Sequence, residues 1–285
     1  MVDWLLRYNC EDCMKSQFIQ KYRYSLILLK ELVITEFKLR YQGSFLGYLW
    51  SLLRPLFLFV ILYFVFVYFL RIGSDIPHWP VAMLLGIVLW NFFSEVTNNG
   101  LAAIVNRGDV IRKINFPKYV ILLAGSVSAL INLVLNLLVI GVFMWVNGVN
   151  LSWSALLSPL YILEIFAFAL GLSFILSAIF VKLRDMNYIW EIIMQALFYA
   201  SAVIYPIAMV IEKSAVMAQA ILLNPVAQAI QDTRKTLIYD QTPTLYSISG
   251  GNILVSLAPI ALVVIVLIVG AIFFKKQSPT FAENV

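Results

Sequence analysis

The side chains of this sequence that could do chemistry are few and scattered. His78 is the single histidine, and Cys10 and Cys13 form a lone CxxC with no second pair. Four zinc ligands are therefore not available, and two reduced thiols are the simpler reading. GxxxxGK[ST], GxSxG and HExxH are absent, and no carboxylates cluster in pairs, which removes the usual routes to nucleotide cradling, acyl transfer and metal-assisted hydrolysis. We expect no catalytic, cofactor-binding or metal site in this chain. The informative groups are three acids, Glu95, Glu164 and Glu191, in or beside long apolar runs. An ionised side chain at such a place costs several kcal/mol, so it faces a bundle interior or an aqueous path. For Glu191, close to Arg184 and Asp185, an interfacial position is the simpler reading. Glu95 and Glu164 fit either the lining of a route or an interhelical hydrogen bond.

Two further patterns have chemical content. The loop Asn106–Pro117 sets Arg107, Asp109, Arg112 and Lys113 around Val110, Ile111 and Ile114, the pattern of a short amphipathic helix. Such a helix can dock into a groove on a soluble partner, or the loop can serve simply as a basic anchor. Phe59, Tyr63 and Phe66 recur at i, i+4 and i+7 and share one helix face. That face can stack on sugar rings or pack against a neighbouring helix.

The elements that must position these groups follow from composition. The chain is 62% hydrophobic and 12% charged, with a mean hydropathy of +0.91. Soluble domains run at roughly 45–50% apolar and about 25% charged, so the sequence reads as an all-α integral membrane protein. A spanning helix needs about 20 apolar residues. Six such spans are expected, near 51–70, 81–105, 120–146, 159–181, 189–206 and 253–274. The uncharged stretch Tyr119–Leu163 is too long for one helix and is expected to break at Asn147-Gly148-Val149-Asn150. Tyr205-Pro206 should end or kink the fifth span. Residues 1–20 are charged and lack an apolar core, so the first span is expected to act as the insertion signal.

Lys and Arg in short loops are held on the cytoplasmic side. An N-in, C-in arrangement leaves only Arg71, Lys213, Arg234 and Lys235 outside. The net charge of +5 is thereby explained by topology, and nucleic acid is not an expected partner. Two regions do not read as plain spans. Tyr22–Gln42 carries a polar stripe at Glu31, Thr35, Lys38 and Gln42 and an apolar one at Leu26, Leu29, Val33 and Phe37, so it is expected to lie as an amphipathic helix in the cytoplasmic interface. Residues 207–231 are apolar but interrupted by Glu212-Lys213 and Asn224-Pro225, which leaves short re-entrant helices before the last span.

The run from Phe37 through Gly43, Gly47 and Trp50 to Arg54-Pro55, then Asn106 to Pro117, Leu183-Arg184-Asp185, Tyr205-Pro206 and Asn224-Pro225 resembles, in order and spacing, the ABC-2-type permeases that export polysaccharides. The resemblance implies a cytoplasmic tail and interface helix over 1–48 and a six-helix transmembrane domain over 49–285. It implies a half-transporter that forms a homodimer in the bacterial cytoplasmic membrane and pairs with two separate nucleotide-binding subunits, which would hold ATP and magnesium while this chain holds neither. Arg107, Asp109, Val110, Ile111, Arg112 and Lys113 would then form the ATPase-coupling loop. Phe59, Tyr63, Phe66, Glu95 and Glu164 become candidates for the substrate path, with Arg40, Tyr41 and Arg54 at its entry. Tyr205, Pro206, Asn224 and Pro225 would belong to the re-entrant region. The cargo implied is a lipid-linked glycan of the O-antigen, capsule or teichoic acid type. The same architecture also fits export of a drug, peptide or lipid. A membrane-embedded glycan ligase or acyltransferase would need clustered ionisable groups that this sequence lacks, and a passive channel would work without nucleotide.

Overall fold

In a computed structural model, residues 25–36, 38, 47, 49–73, 75–113 and 116–284 are described. Cys10, Cys13, Arg40 and Tyr41 lie outside them. Among the described residues the structure is helical and contains no strand. Five helical stretches are long and apolar enough to cross a membrane: Leu49–Phe69, Trp79–Ala103, Tyr119–Val146, Trp153–Phe180 and Ile253–Glu283.

Residues 25–36 form α1. Leu28 and Leu32 on one side of it pack against the main bundle, while Leu26, expected in the apolar stripe, is exposed together with Ile27 and Ile34. The helix is apolar on two sides, one toward protein and one away from it, which a single-stripe reading misses. The next element, α2 (Leu49–Leu62), widens into a π-helical turn over Tyr63–Phe69 and is peripheral.

The centre of the bundle is α3 (Trp79–Ala103). It starts with Pro80 in its first turn, where the missing N–H has no partner to lose, and encloses Met83, Leu84, Leu85, Ile87, Leu89 and Phe93 completely. After a 3₁₀ turn comes the short α4 (Gly108–Lys113), and then α5 (Tyr119–Val146), which ends at the expected break with Gly148 at φ +67°. α6 (Ser158–Phe180) packs on both α3 and α12 (Ile253–Gln277). Where α6 and α12 cross, a Cβ on Gly171 would lie 2.8 Å from the backbone of Leu267, and one on Gly270 would strike the backbone of Gly171. Side-chain-free residues thus let the two backbones touch, and touching backbones maximise dispersion where lipid supplies no hydrophobic drive.

The fifth expected span departs most from expectation. Its helix, α7, runs Met186–Ala200, only 15 residues, or about 22 Å at 1.5 Å per residue, against the ~30 Å hydrocarbon core. The break comes before the proline, because Ala202 takes the left-handed region at φ +50°. Ser201, Ala202, Val203, Ile204 and Ile207 are all enclosed. Four short helices follow: α8 (Ala208–Lys213), α9 (Ala215–Leu222), α10 (Pro225–Leu237) and α11 (Leu245–Ile248). α10 begins as its sequence dictates. Asn224 Oδ1 accepts from the N–H of Val226 at 3.1 Å, and Pro225 occupies the first helical position. After α12 a 3₁₀ turn and α13 (Phe281–Asn284) hook the chain back toward α4.

Candidate functional site

A set of mostly half-buried and exposed polar residues on these helices shares one face. On α3, Asn91, Ser94, Glu95 and Asn98 follow one another at i, i+3, i+4 and i+7, so helical periodicity puts them on one side. On α5, Asn132 and Asn136 are one turn apart, and α2 contributes Trp50, Ser51 and Arg54. Together they line a cavity of about 470 Å³. A second cavity of about 530 Å³ shares Ser94 and Asn98 with the first and continues toward α7 through Asn187, Glu191 and Gln195, again spaced by four. Trp90, Phe198 and Tyr199 complete its wall, with the Trp90 and Phe198 rings 5.6 Å apart and edge-on.

Hydrogen bonds fix the amides in place. Asn132 donates through Nδ2 to Glu95 Oε1 at 3.1 Å, and Asn136 Nδ2 donates to the carbonyl of Asn132 at 2.8 Å. Asn98 Nδ2 donates to Ser94 Oγ at 3.0 Å. The Nδ2 of Asn99, also at the first cavity, is buried without a hydrogen-bond partner. Such a surface can donate to and accept from a polyhydroxylated molecule, and it holds no nucleophile with an activating base.

Of the candidate path residues Glu95 lines this cavity, and Arg54 of the candidate entry lines it as well. Phe59 is buried, with its ring 6.2 Å from that of Phe143 on α5, and Tyr63 and Phe66 pack against the same core. The structure therefore turns the α2 aromatic face inward, away from both cavities. Glu164 lies elsewhere, where α6 meets α10. Its Oε1 is buried without a hydrogen-bond partner, and Asp232 and Tyr161 are its electrostatic neighbours. Tyr205 donates from its hydroxyl to the carbonyl of Tyr199 at 2.8 Å, and Asn224 donates to Ser201 Oγ at 2.9 Å, so both brace the turn after α7.

Sequence reasoning missed the amides, although their four-residue spacing was the available signal. It also missed Arg234. This side chain is 1% exposed and donates to the carbonyls of Ala82 at 2.9 Å, Ala202 at 2.9 Å and Val203 at 2.5 Å. Its guanidinium stands over the Trp79 ring, and Gly86 leaves room for it because any side chain there would collide with the guanidinium. Backbone carbonyls released by the break at Ala202 thus gain a charged donor.

At the far end of α3, α4 presents Asp109, Val110, Arg112 and Lys113 to the exterior and buries Ile111. Arg107 faces the bundle, 3.6 Å from Glu36 on α1. Ile111 shares an apolar cluster with Ile104, Phe116, Phe174, Phe274 and a fully enclosed Phe281. The Phe274 and Phe281 rings are 5.2 Å apart, Lys118 Nζ lies over Phe281 at 5.5 Å, and the same ammonium donates to the carbonyl of Ser278. α4 is therefore anchored from both ends of the described chain, and only its outer face is available.

Long apolar helices with polar-lined clefts between them and an anchored surface helix fit a multi-pass membrane transport subunit. The chain belongs to the ABC-2 type transporter family, whose model matches residues 27–238. It is 31% identical to an O-antigen export system permease protein of Myxococcus xanthus, over 90% of this chain and 95% of that one. A Klebsiella pneumoniae protein of the same description is 30% identical over 92% and 98%. The polysialic acid transport protein KpsM of Escherichia coli is 23% identical over 74% and 81%.

Proposed function

We propose that this chain is the permease subunit of an ATP-driven exporter that moves a lipid-linked polysaccharide, of the O-antigen, capsule or teichoic acid type, across the bacterial cytoplasmic membrane. The observation that carries the reading is the joined pair of amide-lined cavities between α2, α3, α5 and α7. The names borne by relatives at about 30% identity over nearly their whole length point to the same cargo class.

In this reading α7 and the buried turn after it make a sixth crossing, both ends of the chain are cytoplasmic, and α8 to α10 dip into the outer leaflet. Non-helical backbone at membrane depth is tolerated where protein covers it, as it does around Ala202. Residues 1–48 form the cytoplasmic tail and interface helix and 49–285 the transmembrane domain. Two copies of the chain assemble with two nucleotide-binding subunits, which carry ATP and magnesium. The outer face of α4 enters each ATPase, whose closure on ATP favours one of two arrangements of the dimer and so opens the path.

Deletion of the gene tests the proposal. The expected result is loss of surface polysaccharide with lipid-linked glycan accumulating inside the cell, and restoration by the wild-type chain. Normal surface polysaccharide in the deletion strain, or failure to copurify with any P-loop ATPase, would refute it. Export of an apolar drug or lipid is the competing reading, and the density of amides on the path favours a hydroxylated cargo over it.

A further inference from the structure

α4 cannot set its own direction. It has six residues, joined to α3 through a 3₁₀ turn, and isolated helices shorter than about 12–15 residues are marginal in water. Its pose therefore depends on what packs beneath it. Ile111 enters the apolar cluster that Phe281 completes, and α13 packs directly on α4.

The hook that carries α13 is itself firmly held. Phe281 is fully enclosed, its ring is 5.2 Å from that of Phe274 on α12, and Phe274 is in turn 5.2 Å from Phe174 on α6. Lys118, just before α5, donates to the carbonyl of Ser278 at the end of α12 and stands over the Phe281 ring at 5.5 Å. An ammonium is favoured there, because the last carbonyls of a helix lack intrahelical partners and carry partial negative charge. A row of rings thus runs from beneath α4 to the α6–α12 pair, about one turn from where Gly171 and Gly270 bring the two backbones together. Close-packed interiors have low compressibility and pass displacement on.

We infer that Phe281 and Lys118 are positioning residues for ATPase coupling: through them the C-terminal hook fixes the direction in which α4 presents Asp109 and Arg112, and joins movement of α4 to the α6–α12 pair. The inference rests on reading α4 as the coupling helix. With the hook loosened, α4 can follow the ATPase without moving the bundle, so hydrolysis continues with less export.

The test compares strains carrying Phe281→Ala, Phe281→Leu or Lys118→Met in the full chain. Surface polysaccharide is measured on the cells, and ATP hydrolysis and copurified ATPase subunit on the exporter purified from them into nanodiscs. Lys118→Met keeps an apolar stem and removes the ammonium, so it loosens the hook without opening a void. Phe281→Ala and Lys118→Met should each lower export per ATP hydrolysed by roughly five- to tenfold, the size of an ordinary coupling term, with the ATPase still bound. Phe281→Leu should recover most of the loss. A wild-type ratio in either variant would overturn the inference, and so would export and hydrolysis falling in proportion, the mark of a merely structural brace. If Phe281→Ala does not insert, Lys118→Met alone decides. Wild-type export from Asp109→Ala/Arg112→Ala would remove the coupling reading and the inference together, whereas loss of export there beside a wild-type ratio in the hook variants would overturn the inference alone.

Discussion

Arg234 donates from α10 to the carbonyl of Ala202, 2.9 Å away, at the point where α7 has come undone. A left-handed alanine and a broken helix are costly inside a bundle, and a charged donor on the released carbonyls offsets that cost. Hydrogen bonds to a charged group are worth about 1.5–3 kcal/mol each, and leaving their partners buried without them costs more. Arg234→Ala should therefore lower the thermal midpoint in detergent markedly, by the equivalent of roughly 3 kcal/mol or more, and expose residues 201–206 to proteolysis. Arg234→Lys should recover less than half of the loss, because an ammonium lacks the planar fork that reaches several carbonyls at once. An unchanged midpoint in Arg234→Ala would show that the turn holds itself.

The outer face of α4 offers a second test. Asp109 and Arg112 are exposed, whereas Ile111 is buried. Asp109→Ala/Arg112→Ala should leave the chain inserted and folded but abolish export while the partner ATPase still hydrolyses nucleotide. Wild-type export from this variant would remove α4 from the coupling role.

Phe281 is the buried brace of α4. Phe281→Ala should open a void costing about 3–5 kcal/mol locally and loosen α4, seen as faster amide exchange over residues 108–113. Phe281→Leu should restore most of the protection. If exchange in α4 is unaltered by the alanine, the hook packs on it without holding it.

Asp232, on α10 outside the long spans, gives a pH signature. Burial raises its carboxyl to about 6 from the usual 3.8, against opposing pulls from a Gln228 hydrogen bond and the charge of Lys235. The folded chain thus binds this proton more tightly than the unfolded one. Its contribution to stability is full below pH 3.8, is lost as pH rises, and is gone above about 6. The difference in thermal midpoint between wild type and Asp232→Asn should accordingly change across that window and be flat above it. A constant difference from pH 4 to 7.5 would mean an ordinary carboxylate.

The limits of the long helices were legible because an uncharged run of about 20 residues has few other fates, and punctuation such as Asn147-Gly148 and Asn224-Pro225 acts through local geometry alone. The early end of α7 was not legible, since it depends on Ala202 adopting a conformation supported by Arg234, distant in sequence. Arg234 itself read only as one of four basic residues left on the outer side, because α10 is polar on one side and its burial follows from docking on α3 and α6. The polar face escaped for a related reason. Each amide on α3, α5 and α7 is unremarkable within its own helix, and only packing sets the three stripes opposite one another.

The hook at Phe281 also orders events in time. Every long helix must be made and inserted before the residues that brace α4 leave the ribosome, so α4 lacks that support until α13 follows. A fusion placed directly after α13 would sit beside α4, the helix proposed to meet the ATPase. Reporter and affinity tags are therefore better separated from it by a long flexible linker of the Gly/Ser kind.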